Sequence, residues 1–296
     1  MIKITPLNKN FGVDISGFDI KNPSPADIKF INDSVHENFV VRIRGQEFSD
    51  RDQLEFTKNF GQLSIPTLKQ TLGKDQAGTP NFMSTVSNIK INGEQIGQFG
   101  NEELDWHSDL NYKERPHAWS LLHALKIPPT GGDTHFVNTR LAYEKLPKKK
   151  KAEINNLKAR HDIWSLSLQK GSKEHGKLLP GMPKPDNFHE KEWWKTHNGI
   201  EHPLVRTHPI TNKKALYFGR RLNLYIPGMP HEESEKLLDY LYLHSIKNSE
   251  FIWIQKWQLG DLIIWDNRSG MHRRENFNSE HERLMRRTNT QGEKPF

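Results

Sequence analysis

The pattern of apolar and polar positions changes from a helical period to a strand period within the first part of the chain. Residues 25–37 carry apolar side chains at helical spacing, and Ser24 followed by proline is a typical helix start, because proline has no N–H to lose there. Residues 39–44 (FVVRIR) are β-branched and alternate, which predicts a strand. Ser49 then predicts the N-cap of a second helix.

Short apolar runs that predict strands dominate the second half of the chain. They lie at residues 118–125, 134–137, 215–218, 251–257, 262–265 and 283–290. Two helical patterns interrupt them, at residues 140–161 with a break at Pro147 and at residues 230–244. Helices early and strands late predict a mainly β fold, a sandwich or jelly roll with helices packed outside.

One long segment departs from this pattern. Residues 165–201 are polar and weakly periodic, which is long for a structureless connection, so they are a candidate lid or insertion. The sequence contains no internal repeat. We therefore interpret residues 1–296 as a single domain with this candidate lid, and we expect the histidines of polar segments, His161 among them, to face solvent.

The composition excludes several kinds of metal-binding and catalytic site. The 296 residues include no Cys, which excludes a disulfide framework, a thiolate metal site and a cysteine nucleophile. Only 34% of the residues are hydrophobic, but eight Trp and fifteen Phe provide bulky core material.

The charge balance is basic, with 43 Lys and Arg against 36 Asp and Glu, a formal charge of +7. No stretch interleaves basic and aromatic residues repeatedly, so the excess predicts a solvated surface rather than a nucleic-acid site. The N-terminus resembles no signal peptide, and no apolar run approaches the ~20 residues of a membrane helix. A cytoplasmic protein with no membrane partner is expected.

Residues 106–109 (WHSD) contain the first candidate chemistry. In a strand, His107 and Asp109 would point to the same side and could form half of a metal site. His272 follows the predicted buried strand at 262–265 and a polar turn, and could complete a facial triad of two histidines and a carboxylate. Taken alone, His272 fits a hydrogen-bonded turn residue better than a metal ligand.

Arginines and a glycine turn suggest anion binding. Period two places Arg283 and Arg287 on one strand face, where two guanidinium groups could hold two anions; an exposed basic edge strand is the alternative. Thr134 follows the turn at residues 131–132 (GG) and could offer its hydroxyl to an anionic ligand; an ordinary turn is the alternative.

Taken in order, these motifs resemble the taurine/2,4-dichlorophenoxyacetate dioxygenase (TauD/TfdA) family over nearly the whole chain. The matching segments are residues 12–15 (GVDI), 40–46 (VVRIRGQ), 60–63 (FGQL), 86–88 (VSN), 106–109 (WHSD), 131–134 (GGDT), 202–206 (HPLVR) and 265–268 (WDNR). The spacings also fit, with 27 residues from His107 to Thr134, and 11 and 15 residues from His272 to Arg283 and Arg287.

The resemblance implies a double-stranded β-helix (jelly roll) with flanking helices. It implies that His107, Asp109 and His272 bind Fe(II), and that 2-oxoglutarate and O₂ are cosubstrates. It further implies that Arg283 and Thr134 bind 2-oxoglutarate, and that Arg287 binds the acidic group of a small carboxylate or sulfonate. Hydroxylation would release succinate and CO₂. Family members often form dimers or tetramers.

Two other functions use the same residues. Two histidines and a carboxylate also suit a zinc-dependent hydrolase, although that reaction leaves the paired arginines unexplained. A non-catalytic anion-binding protein would explain the arginines alone. Residues 64–69 lack the His and Tyr of taurine-specific family members, and the motifs at 106–109 and 265–268 are closer to the phenoxyacetate branch.

Overall fold

The computed structural model describes residues 2–8, 11–66, 82–161, 199–221 and 224–296. The candidate lid at 165–201 lies outside these residues except for its last three positions, so it stays a prediction. Within these ranges, no helix is both long and apolar enough to cross a membrane.

Five α-helices occur in the described residues: α1 (Pro25–Asn38), α2 (Asp50–Lys58), α3 (Thr139–Glu144), α4 (Lys148–Ile154) and α5 (His231–Lys247). Both predicted helix starts are confirmed. Ser24 accepts a hydrogen bond from the backbone of Asp27, whose carboxylate accepts one from the backbone of Ser24. Ser49 and Asp52 form the same reciprocal capping box at α2.

The strands of the described residues are β1 (Lys3–Asn8), β2 (Phe11–Ser16), β3 (Val40–Ile43), β4 (Met83–Ser87), β5 (Lys90–Ile91), β6 (Glu94–Gln95), β7 (Leu104–His107), β8 (His117–Lys126), β9 (Thr134–Asn138), β10 (Lys158–His161), β11 (Ile200–Pro203), β12 (Val205–Thr207), β13 (Lys214–Leu216), β14 (Leu224–Tyr225), β15 (Ile252–Gln255), β16 (Leu262–Asp266), β17 (Gly270–Arg274) and β18 (Leu284–Gln291). The largest sheet has the order β1-β2-β3-β16-β8-β18-β4, and a four-stranded sheet has the order β15-β9-β17-β7. All pairs in both sheets are antiparallel except β2 with β3.

These two sheets pack face to face over an aromatic core. Phe136 of β9 lies edge-on to Trp265 of β16, with ring centroids 5.5 Å apart, and also stacks on Trp253. Ile263 and Met285 from the large sheet are fully buried in the same cluster. The mainly β sandwich predicted from the sequence is confirmed, and its small sheet carries two strands that form the site described below.

The helices cover the outer faces of both sheets. Ile31 and Val35 of α1 and Phe56 of α2 pack against the large sheet. Leu238 and Leu241 of α5 join the core of the small sheet. Amphipathic helices therefore bury the outer apolar face of each sheet.

The predicted helix over residues 140–161 is wrong at its end. The break at Pro147 is confirmed, because this residue precedes α4. However, Lys158–His161 forms β10, which pairs with β11 and β14. The exposure of these four residues alternates with period two, and pairing with distant strands decides their conformation. His161 is completely buried rather than solvent-facing.

Candidate metal centre and anion pocket

Three side chains predicted as metal ligands converge in the structure. His107, Asp109 and His272 each offer one ligand atom, and these atoms lie within 4.8 Å of one another. Nε2 of His107 is 3.8 Å from Asp109 Oδ1, and Nε2 of His272 is 3.9 Å from Asp109 Oδ2. The two imidazole centroids are 4.3 Å apart. The cluster therefore has the donor set and the size of a metal site with two histidines and a carboxylate.

The route by which the backbone forms this cluster differs from the prediction. His107 is the last residue of β7, so Asp109 lies in the following turn and not at the next same-face position of a strand. His272 lies within β17 and is directly opposite His107 in the pairing of β17 with β7. Strand register brings the two histidines together, and a turn returns the carboxylate to them.

A buried side-chain amide holds that turn. The Asn267 carbonyl oxygen accepts a hydrogen bond from the Asp109 backbone N–H at 2.8 Å. Its amino group donates to the backbone carbonyls of Asp109 and His117, each at 3.0 Å. Asn267 belongs to the motif at residues 265–268, but the sequence alone predicted no role for it. The available signal was a polar residue directly after the buried strand β16.

Burial and neighbouring charges keep the three groups in metal-binding protonation states. Burial, followed by the charges of His272 and Arg220, lowers the pKa of His107 to about 3. Burial and Arg287 lower the pKa of His272 to about 4. Burial opposes ionisation of Asp109, but Arg287 and the imidazoles hold its pKa well below the usual range. At neutral pH the cluster is two neutral imidazoles and one carboxylate, the states that metal ions require.

The ring of His107 has a defined orientation. Its Nδ1 lies 2.7 Å from the backbone carbonyl of Asp105, which accepts a hydrogen bond when Nδ1 carries the proton. That tautomer leaves the lone pair of Nε2 directed at the cluster. Carbonyl partners of this kind are common behind metal-binding imidazoles, where they fix the ring and raise its basicity.

Arg287 pairs with the carboxylate of the metal cluster. Its Nη2 contacts Asp109 Oδ2 at 2.7 Å, and its guanidinium lies 5.9 Å from the centroid of the Trp265 ring. Its neighbours in β18 alternate with the strand period, because Met285 is buried while Arg286 turns the other way and pairs with Asp50. Arg287 therefore acts on the metal cluster itself, besides any ligand it binds.

Arg283 is a buried cation without a carboxylate partner in the described residues. It precedes β18, and its backbone N–H is fixed by the side chain of Asn88 at 2.9 Å. Only 2% of Arg283 is exposed, and its guanidinium lies 5.9 Å from the Trp257 ring. Its Nε has no hydrogen-bond partner among the described residues. Burial and Arg274 lower its pKa to about 9. Such a group needs an anionic ligand to compensate its desolvation.

Thr134 lies beside the same pocket. Its hydroxyl oxygen accepts a hydrogen bond from Trp257 Nε1 at 3.1 Å, and the Trp257 ring borders Arg283. A Cβ on Gly132 would lie 3.5 Å from Cδ of Arg283, so the predicted glycine turn packs close to the Arg283 side chain. The structure thus brings Thr134 and Arg283, both predicted to bind the same anion, to the same tryptophan side chain.

A second group of potential ligand atoms, from His36, His208 and Asp266, is a hydrogen-bonded network instead. Arg268 contacts both oxygens of Asp266 at 2.8 Å, and His208 Nε2 lies 2.7 Å from Oδ2 of the same carboxylate. The guanidinium thus occupies the place that a cation would need. This network anchors the turn between β16 and β17, which carries Asn267.

The chain matches known proteins over almost its full length. The family model described as "Taurine catabolism dioxygenase TauD, TfdA family" matches residues 3–289. The chain is 28% identical over 294 residues to the alpha-ketoglutarate-dependent 2,4-dichlorophenoxyacetate dioxygenase of Cupriavidus pinatubonensis, covering 96% of each chain. It is 30% identical over 301 residues to the alkylsulfatase of Acinetobacter baylyi, covering 99% of this chain and 86% of the relative.

A search of solved structures also finds similar proteins. The crystal structure of AAD-2 in complex with Mn(II) and N-oxalylglycine matches with a TM-score of 0.75 and 30% identity, over 100% of this chain and 99% of that one. Together with the two facing sheets, this likeness confirms the predicted double-stranded β-helix with flanking helices.

Proposed function

This chain belongs to the TauD/TfdA family of dioxygenases, and from that membership we propose that it is an Fe(II)- and 2-oxoglutarate-dependent dioxygenase that hydroxylates a small anionic substrate. The overall reaction converts substrate, 2-oxoglutarate and O₂ into hydroxylated substrate, succinate and CO₂. The observation that carries the proposal is the buried cluster of His107, Asp109 and His272 together with Arg283, a buried cation that has no carboxylate partner in the described residues.

The donor set fits Fe(II). His107 and His272 are neutral and Asp109 is ionised at neutral pH, so the three would hold the metal without releasing protons first. Three protein ligands leave coordination positions open for a chelating cosubstrate and O₂. When bound, the metal and its cosubstrates supply the oxidant that replaces a substrate C–H bond by C–OH.

Arg283 and Thr134 are proposed to bind 2-oxoglutarate. A guanidinium offers a planar pair of donors that matches a carboxylate, and Arg283 lacks any such partner in the described part of the chain. The hydroxyl of Thr134 retains a proton to donate, because its oxygen only accepts from Trp257. Binding a cosubstrate carboxylate here would restore the charge balance that burial of Arg283 disturbs.

Arg287 is proposed to contact the acidic group of the prime substrate. It holds Asp109 through one Nη, and its buried Nε has no hydrogen-bond partner among the residues that the structure describes, so a donor remains available on the same guanidinium. A hydrolytic zinc site or a non-catalytic anion site would not require two arginines around a three-residue metal cluster. The relatives named above include a 2,4-dichlorophenoxyacetate dioxygenase and an alkylsulfatase, which supports a carboxylate, sulfonate or sulfate group.

The domain organisation is also proposed from membership of this family. We propose one catalytic domain over residues 1–296, supported by the family match across residues 3–289, with the lid at 165–201 as a further prediction. A cytoplasmic location, a homo-oligomeric state and the absence of a nucleic-acid partner also remain predictions.

The test is succinate release by purified protein with Fe(II), ascorbate, 2-oxoglutarate and a panel of aryloxyacids, carboxylates, sulfonates and sulfate esters. We expect substrate-stimulated succinate that requires Fe(II) and O₂. His107→Ala and Asp109→Ala should abolish it, while His281→Ala, outside the cluster, should not. Full activity after removal of all metal would contradict the assignment.

A further inference from the structure

A serine and an asparagine lie behind the carboxylate of Asp109, and both are outside the motifs that the chain shares with its family. Ser120 is in β8, and Leu122, two residues on, packs in the core between the two sheets. Period two places Ser120 on the same inner face. Asn289 of β18 is directly opposite Ser120 in the strand pairing and lies two residues beyond Arg287. Strand register therefore brings both polar side chains to the face that carries Arg287.

The two side chains form a chain of contacts that ends on Asp109. The amino group of Asn289 donates a hydrogen bond to Oγ of Ser120 at 2.5 Å. An amide amino group only donates, so Oγ is the acceptor and the serine proton is left for another partner. That partner is Asp109 Oδ2, which lies 3.4 Å from Oγ. This distance is long for a hydrogen bond between two oxygens, so a moderate effect is expected.

The donors that reach the Asp109 carboxylate meet at one of its oxygens. Nη2 of Arg287 lies 2.7 Å from Oδ2, the same atom that Ser120 contacts. Oδ1 instead lies 3.8 Å from Nε2 of His107, another proposed metal ligand. Hydrogen bonds to one oxygen of a metal-binding carboxylate orient the other oxygen towards the ion.

Aspartate needs such partners, because its own torsional preferences do not fix the plane of the carboxylate. The torsion between Cβ and the carboxylate carbon is broad, unlike a torsion between two sp³ carbons. Asn267 fixes the backbone N–H and C=O of Asp109 rather than its carboxylate. Arg287 is long and is also proposed to bind substrate. Ser120 is a short, fully buried donor, so it can hold Oδ2 whether or not substrate is bound.

Ser245 shows the usual arrangement of a buried serine in this fold. Its hydroxyl donates to the backbone carbonyl of Leu241, one turn back in α5, at 2.9 Å. Ser120 instead donates across to a carboxylate on a different segment, and Asn289, only 4% exposed, orients it. Burying a hydroxyl and an amide is costly unless both are hydrogen-bonded, and the carboxylate supplies the hydroxyl with its acceptor.

We propose that Ser120, oriented by Asn289, is a positioning residue that holds Oδ2 of Asp109 and thereby presents Oδ1 to the metal. This inference rests on the proposed function, because it takes His107, Asp109 and His272 as the metal ligands. Loss of the hydroxyl leaves the carboxylate freer to rotate. Metal binding then weakens although every ligand is still present.

Two variants of similar shape test the hydroxyl itself. Ser120→Thr keeps it, whereas Ser120→Val has a methyl group in its place. The electron paramagnetic resonance signal of free Mn(II) gives the dissociation constant of each, and circular dichroism checks folding. We expect Ser120→Val to bind Mn(II) roughly three- to tenfold more weakly than Ser120→Thr, the effect of one weak contact to a charged group. A role in packing alone would give both variants the same affinity.

Two further positions locate the effect. Ser245→Ala also removes a buried serine hydroxyl, but far from Asp109 in the chain, and its Mn(II) affinity should stay within about twofold of wild type. Asn289→Ala should weaken Mn(II) binding, and should add no further loss to that of Ser120→Ala, because Asn289 acts through the serine hydroxyl. Additive losses would contradict this route.

Equal Mn(II) affinities of folded Ser120→Thr and Ser120→Val would overturn the inference. If the added methyl group prevents both from folding, Ser120→Ala and Asn289→Ala decide the question, and wild-type affinity in both would overturn it. Failure of the wild-type protein to bind Mn(II) would instead contradict the proposed function.

Discussion

Replacing Asn267 by alanine should weaken metal binding by more than its effect on stability explains. Asn267 is 1% exposed and makes three hydrogen bonds, two to the backbone of Asp109 and one to that of His117. At about 1 kcal/mol for each bond, Asn267→Ala should lower the free energy of unfolding by about 3 kcal/mol. Because the lost bonds orient a proposed metal ligand, metal affinity should fall roughly ten- to a hundredfold.

Two measurements separate these effects. Urea unfolding of the metal-free protein gives the change in stability, and the electron paramagnetic resonance signal of free Mn(II) gives the dissociation constant at 25 °C. Gln53→Ala is the matched control. Gln53 is also a fully buried amide whose amino group reaches three oxygens, on Leu121, Arg286 and Thr288, but it does not contact Asp109.

We expect Gln53→Ala to destabilise the protein while its Mn(II) affinity stays within about twofold of wild type. Unchanged Mn(II) affinity in folded Asn267→Ala would refute the argument that this amide positions Asp109. An equal loss of affinity in Gln53→Ala would show that metal binding only follows global stability.

Three further outcomes are expected. Arg283→Gln should raise the KM for 2-oxoglutarate about ten- to a hundredfold and spare Mn(II) affinity; an unchanged KM in steady-state succinate assays would remove Arg283 from the cosubstrate site. Arg287→Gln should lower substrate-stimulated succinate release and leave the KM for 2-oxoglutarate within about twofold of wild type. An equal effect on substrate and 2-oxoglutarate would show that Arg287 binds both. Burial and Arg287 lower the pKa of His117 to about 4, so below pH 6.5 only the unfolded state gains its proton and stability falls as pH drops towards 4. In the metal-free protein, His117→Gln should therefore reduce the slope of the free energy of unfolding against pH by up to about 1.4 kcal/mol per pH unit. Urea titrations at pH 5 and pH 7 measure this slope, and an unchanged slope would contradict the assignment to His117.

Local signals predicted the elements well where local contacts decide them. Ser24 and Ser49 cap their helices through bonds that span three residues, so the chain needs no distant partner to form them. The alternation of Met285, Arg286 and Arg287 also survives in β18, since period two follows from strand geometry alone. The candidate triad and both arginines were selected through motif order and spacing.

Where pairing between distant strands decides the local conformation and burial, the predictions were wrong or incomplete. Residues 158–161 (KARH) contain good helix formers and no turn residue, but β11 and β14 supply partners that make them a strand. His161 is buried, and its ring lies against those of His202 and Tyr217, which come from distant parts of the chain. No local pattern indicates that Gly219 packs on the side chain of Asn111, 108 positions earlier in the chain.

The amino-acid sequence alone determined the class of fold, the residues that carry the candidate chemistry and their order, because helix caps, strand periodicity and motif spacing are local properties. Tertiary structure decided how these residues act on one another. The register of β17 with β7 sets His272 opposite His107, and Asn267 holds the turn of Asp109 across 158 positions of the chain. Contacts over such separations depend on which strands pair and how the sheets face, and no local pattern records that.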